Sequence, residues 1–375
     1  MPSRNHSCDV LIAGGGPAGL AAAIALRARG ADVLVADALA PPIDKPCGEG
    51  LMPDARRDLS RLGVDLNPAH GAEFQGILFA GPCDSVAASF PSGTGLGVRR
   101  PALHRLLLDR ATELGVRFSW NTPVVLKPQR LAQLAGEPRA YRWLVGADGH
   151  ASRVRSFASL DAASLRSRRF GFRAHYRVAP WSPYVEIHWG PLGQAYITPT
   201  GPQEVCVAAI TRHPGIRLPQ ILEGLPSLRE KLAGADVTSA QRGAITLTRR
   251  LRRVTRGNVV LIGDASGSAD AITGEGLAMG FREALLLADS LAAGSLDLYE
   301  ARHASILALP QRMAALMLLL DRSHALRDRT LRAFARRPHL FGEMLAVHVG
   351  EQSLPRFVLR RGPQLGALLL TPQHI

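Results

Sequence analysis

Lysine is almost missing from this 375-residue chain: Lys45, Lys127 and Lys231 are its only three. Arginine supplies nearly all of its 45 basic residues, which outnumber 31 acids and leave a net charge of +14. Such a surplus attracts phosphate in general. A nucleic-acid site, however, gathers charge on one face, whereas here the pairs Arg56-Arg57, Arg99-Arg100, Arg168-Arg169 and Arg336-Arg337 are scattered along the chain, so no nucleic-acid partner is expected. Cysteine is scarce too. Cys8, Cys47, Cys83 and Cys206 show no CxxC spacing and no histidine cluster, which argues against a zinc site or disulfide framework and fits a reducing cytoplasm; no metal is expected. Long apolar runs are also lacking. Val10 to Leu26 is interrupted by four glycines, and Ile306 to Leu320 is broken by Pro310, Gln311 and Arg312. A spanning helix needs about 18 or more continuous apolar residues, so none is expected.

What the chain does have is a βαβ opening. CDVLIAG, GGPAG, LAAAIALRARG and ADVLVAD read as strand, tight turn, helix and strand, and Gly30 ends the helix. Both strands are continuously apolar, as in a parallel sheet covered on both faces. Further helices are expected near Asp54–Leu62, at Pro101–Leu114 and over roughly Gly274–Ala293, with strands at Tyr141–Ala147 and Asn258–Ile262. Between them, Phe170 to Thr211 alternates aromatic, β-branched and polar residues between Gly-Pro and Ala-Pro turns, the pattern of an antiparallel sheet. The expected class is α/β. A Rossmann-type, doubly wound domain is discontinuous over 1–70, 98–160 and 255–297; a substrate domain with an antiparallel sheet covers 71–97 and 161–254; a basic, Leu-rich helical region covers 298–375.

Gly14, Gly16 and Gly19 form GxGxxG between strand and helix. This spacing permits a tight turn, backbone approach to a pyrophosphate and close helix–strand packing, with the helix dipole aimed at the phosphates. Asp37 ends the next strand, where a carboxylate accepts hydrogen bonds from an adenosine ribose. A dinucleotide is therefore expected, although this motif alone does not separate NAD from FAD.

Two distant segments complete a pattern. LVGADGHASRVR carries Asp148, and GNVVLIGDASGSADAITGEGLAMGFREA carries Asp264 and Gly274-Glu275-Gly276. With GGGPAG they resemble the three fingerprints of FAD-dependent aromatic hydroxylases and their relatives, the geranylgeranyl reductase-like flavoproteins, over residues 9 to 290. The resemblance implies that Asp264 meets the ribityl chain, that the amides at Gly274, Glu275 and Gly276 face the flavin pyrimidine, that Asp148 fixes the chain around the pyrophosphate, and that Arg100 contacts FAD. Ser266, Gly267 and Ala271 depart from the hydroxylase branch. TGEG and KPCGEGLMP look more like the reductase-like branch, which places Cys47 and Gly48 beside the flavin. Tyr196 and Pro199 fit that branch's aromatic strand, whereas Thr198 does not.

The expected catalytic candidates are Cys47, Tyr196 and His188, the last as a base toward a phenol. Tyr184, Glu186 and His188 share one strand face and Val185, Ile187 and Trp189 the other, and the sequence leaves open which face meets the flavin. With no second GxGxxG, NADH or NADPH is expected to bind transiently as electron donor. The leading expectation is a monooxygenase acting on a lipophilic aromatic or polyketide-like molecule; an ene reductase acting on an isoprenoid lipid is the alternative. Met313, Leu316, Met317 and Leu320 lie on one helical face, and Arg322, Arg327, Arg329, Arg332, Arg336 and Arg337 follow. They suggest a lid over a long-chain substrate delivered by a carrier or from a membrane surface.

Overall fold

A computed structural model describes residues 7–370, the side chains of 163–167 and 370 excepted. Its first sheet runs Val259–Leu261, Glu137–Gly146, Ser7–Ala13, Val33–Ala36 and Arg117–Ser119 in spatial order, all parallel, with Thr255–Arg256 antiparallel at one edge. Val10 lies opposite both Val33 and Trp143 and is buried. The helix Pro17–Arg27 is buried on almost every side, since it packs against this sheet and against the helices Arg100–Glu113 and Gly276–Ala292. Small residues allow that approach: a Cβ on Gly19 would stand 1.9 Å from the Gly14 carbonyl oxygen.

The second sheet has nine strands and is antiparallel except where Tyr184–Trp189 runs parallel to Gly76–Ala80. That pair brings residues 76–80 into the same sheet as the strands of 163–251. The boundary at 255 is not clean, however: Gly267–Ser268 pairs with Arg249 and Arg250 at the edge of the second sheet. One face of this sheet is covered by the short helices Leu218–Glu223 and Pro226–Lys231, the other by C-terminal helices.

Four helices follow, Asp297–Arg322, His324–Arg336, Pro338–His348 and Leu354–Leu370. Pro310 interrupts the apolar run of the first but does not end the helix. It removes one backbone hydrogen bond, but the ring is buried among side chains that hold the helix together. Asp297–Arg322 is the one helix among the described residues long and apolar enough to cross a membrane. Here Met313, Met317 and Leu320 face the protein core instead.

Candidate active site

At the glycine turn the chain separates two tasks. Gly14 has φ of +113°, and a Cβ there would lie 2.3 Å from the carbonyl oxygen of Ala147, so this glycine serves strand-to-strand closeness. A Cβ on Gly16 would meet no protein atom within 4 Å, and the same holds for Gly48, Gly274 and Gly276. Two of them, Gly48 and Gly274, border the same approach. Asp37 accepts the Gly15 amide at 2.7 Å and the Leu39 amide at 2.8 Å, which fixes its carboxylate at the end of its strand with lone pairs to spare.

Asp148 accepts the amides of Arg153 and Val154 at 2.7 and 3.2 Å on Oδ2, while Oδ1 is buried without a partner. It thus caps a short helix and keeps one acceptor free. Asp264 is half-exposed, 3.3 Å from His150 Nε2. Arg100 is buried, its Nε has no partner, and burial weakens its hold on the proton, which an anion alongside would restore. Gly274 adopts φ of +70° and turns the chain toward the helix Gly276–Ala292, whose N-cap Glu275 makes no side-chain capping bond. A free acceptor, an unpaired buried cation, a helix N-terminus and four bare glycine backbones fit an extended dinucleotide with a pyrophosphate.

Over this approach lies a cavity of about 420 Å³. It runs from Cys47–Gly50 and Ile272–Gly274 between the second sheet and the C-terminal helices. Val185 and Ile187 line it, which decides the face left open by the sequence. His188 is therefore on the opposite side. Its Nε2 stands 2.7 Å from Glu186, which also accepts Trp181 Nε1–H at 3.1 Å and pairs with Lys231. This corrects the expectation of a base toward substrate: His188 is part of a buried ion-pair cluster beneath the short helices.

Tyr196 and Cys47 do reach the cavity. The Tyr196 hydroxyl donates to the Ile272 carbonyl at 2.9 Å, and burial drives its pKa far up, so it holds the 271–274 loop and does not exchange protons. Burial likewise keeps Cys47 a neutral thiol, despite the opposing charge of Arg100, and its sulfur accepts the Glu49 amide at 3.3 Å.

Sequence reasoning missed the group that organises this loop. Glu49, at φ of +62°, accepts the Arg100 amide at 2.9 Å and Arg173 Nη1–H at 2.7 Å on one oxygen, and meets His175 Nε2 at 2.6 Å on the other. Arg173 also binds Asp44, and His175 Nδ1 lies 2.7 Å from Ser239 Oγ. A signal was present: Arg169, Arg173 and His175 recur at every second or fourth position, on one face of the strand. Glu49, His175 and Cys206 are close enough to ligate a cation. Arg173 already neutralises Glu49, and burial holds Cys206 well above its ordinary thiol value, so the trio reads as a hydrogen-bonded clamp.

The family model described as an FAD binding domain matches residues 7–188. The chain is 29% identical to menaquinone reductase of Mycobacterium tuberculosis over 77% of its own length and 78% of the relative's. It is 29% identical to rifampicin monooxygenase of Rhodococcus hoagii over 80% and 68%. The anhydrotetracycline hydroxylase structure from Streptomyces rimosus superposes with a TM-score of 0.70 at 25% identity, covering 92% of this chain and 76% of the other. Residues 7–188 are thus an FAD binding domain, and the chain as a whole is similar both to FAD-dependent monooxygenases and to reductases of the menaquinone and geranylgeranyl type. In this flavoprotein the cofactor is FAD.

Proposed function

We propose that the protein is an FAD-dependent monooxygenase that uses NADH or NADPH and dioxygen to oxidise a lipophilic aromatic or polyketide-like molecule. The observation that carries this reading is the cavity, which opens on the cofactor loops at one end and is walled by apolar side chains along the C-terminal helices. FAD supplies the redox chemistry when bound. The chain's own part is to bind, orient and dry the reactants. Arg100 offers charge to a pyrophosphate; Asp37 and Asp264 offer acceptors to hydroxyl groups; the helix Gly276–Ala292 places its positive end where reduction leaves negative charge. Phe74, Phe79, Ile187 and Phe341 exclude water from the reacting end.

The volume suits an aromatic ring with an apolar extension. Leu316, Leu319 and Val358 line the cavity and are also exposed, which puts its mouth between the helices Asp297–Arg322 and Leu354–Leu370. Arg312, Arg356 and Arg360 stand exposed on the same helices. A cytoplasmic enzyme that takes its substrate from a carrier or from an anionic membrane surface agrees with that arrangement.

NADPH oxidation measured with phenols of increasing alkyl length, with and without oxygen, tests the reading. Oxygen-coupled turnover that improves with chain length supports it. Anaerobic turnover of an isoprenoid alkene or quinone instead would establish the reductase reading, which the KPCGEG and TGEG loops and the similarity to menaquinone reductase favour.

A further inference from the structure

Four titratable side chains line the cavity: Cys47, Glu49, Tyr196 and His348. Three are committed. Glu49 is saturated by Arg100, Arg173 and His175; Tyr196 gives its hydrogen to Ile272; Cys47 is a neutral thiol. His348 is different. It ends the helix Pro338–His348, and its Nδ1 is shut off from solvent without a hydrogen-bond partner. That nitrogen stands 3.7 Å from Glu275 Oε2, which is also buried and unpartnered. Glu275 immediately precedes the helix Gly276–Ala292 and follows Gly274, so the pair sits at the end of the cavity where the flavin loops are.

Resting on the monooxygenase reading, we propose that His348 is the catalytic base for a substrate hydroxyl, and that Glu275 orients its ring. With Nδ1 turned to Glu275, Nε2 is left for the cavity. In an apolar chamber an unpaired imidazole costs stability, and a phenolic O–H meets that need. The step balances: the substrate O–H bond breaks, an N–H bond forms at Nε2, and the positive charge gained by the imidazole is met by the Glu275 carboxylate 3.7 Å from Nδ1. The oxygen keeps its electron pair as a phenolate, which enriches the ring for oxidation. Burial raises Glu275 above its ordinary value, against the opposing pull of His348. The other groups facing Glu275 are Thr273, Asp54 and Arg282, and Arg282 is itself paired with Asp54 and Asp58.

The assignment is tested by binding rather than turnover. FAD-loaded protein is titrated with 4-nonylphenol and with its methyl ether, 4-nonylanisole, and the change in flavin absorbance is followed. The wild type should prefer the phenol by roughly 10-fold or more, the worth of one hydrogen bond to a charged partner. His348→Gln, or His348→Asn if the first does not fold, should keep its FAD and its affinity for the ether yet lose that preference. Glu275→Gln should shift the pH at which phenol binding strengthens, a change that a purely structural role would not produce. A wild type that binds phenol and ether equally, or a His348 variant that still discriminates, overturns the assignment and leaves the monooxygenase reading intact. A wild type that binds neither overturns both.

Discussion

The Glu49 carboxylate lies 2.6 Å from His175 Nε2, and neither side chain reaches solvent. Burial alone would raise Glu49, but the hydrogen bond and charge of His175, the Arg100 amide and the Arg173 guanidinium together hold it below its ordinary value. A depressed carboxylate stabilises the folded state above its unfolded pKa of about 4.3 and loses that contribution as pH falls through the folded value. Melting temperature should therefore drop on acidification in the wild type. Glu49→Gln should be less stable at neutral pH by ~3–5 kcal/mol, as when one partner of a buried pair is removed, and should show a flatter acid limb. An acid limb as steep as the wild type's would show that other carboxylates set it.

The two turn glycines should fail in different ways. Gly14→Val drives a side chain into the Ala147 backbone, not into the pyrophosphate path, and should destabilise the protein whether or not FAD is present. Gly16→Val meets no protein atom close by and should leave the unfolding free energy of the FAD-free protein within ~0.5 kcal/mol of wild type while abolishing flavin retention. Full FAD occupancy in purified Gly16→Val would refute the assignment of this backbone to the pyrophosphate.

Tyr196→Phe removes the donor to Ile272 and should cost about 1–3 kcal/mol, the penalty of a buried carbonyl left unpaired. Flavin should release more easily. Because the phenol does not titrate in the working range, the pH profile of NADPH oxidation should keep its shape, and loss of one limb would show that Tyr196 exchanges protons after all.

Met317 is buried and lines the apolar part of the cavity. Met317→Trp should shorten that space, so that long-chain phenols lose a factor of roughly 10 in kcat/KM, about the effect of one or two methylenes, while short phenols are unaffected. Equal losses for short and long chains would mean the tail lies elsewhere. Removing everything after Tyr299 is a poorer test, because Leu331, Phe334, Leu340 and Phe341 belong to the same core as Phe79 and Trp189.

The dinucleotide end was legible because its signals are local: Gly14, Gly16 and Gly19 lie within one turn, and Asp37 falls at the end of the next apolar run. The orientation of Val185 and His188 was not legible, since helices cover both faces of that strand and its two residue sets are equally buried. Glu49 with Arg173, and Glu275 with His348, are separated by 124 and 73 positions, and only the packing of distant elements brings them together. Sequence periodicity reports on one element at a time.

Gly267–Ser268 hydrogen-bonds to the edge of the second sheet three residues after Asp264, and Tyr196 from the middle of that sheet holds Ile272. The floor and roof of the active site are thus stitched together on both sides of residues 269–271. Swinging the roof upward would tear strand pairing as well as a buried hydrogen bond. Traffic into the chamber is therefore cheapest along its length, by parting the helices Asp297–Arg322 and Leu354–Leu370, and turnover of bulky substrates should be paced by how fast those two helices separate.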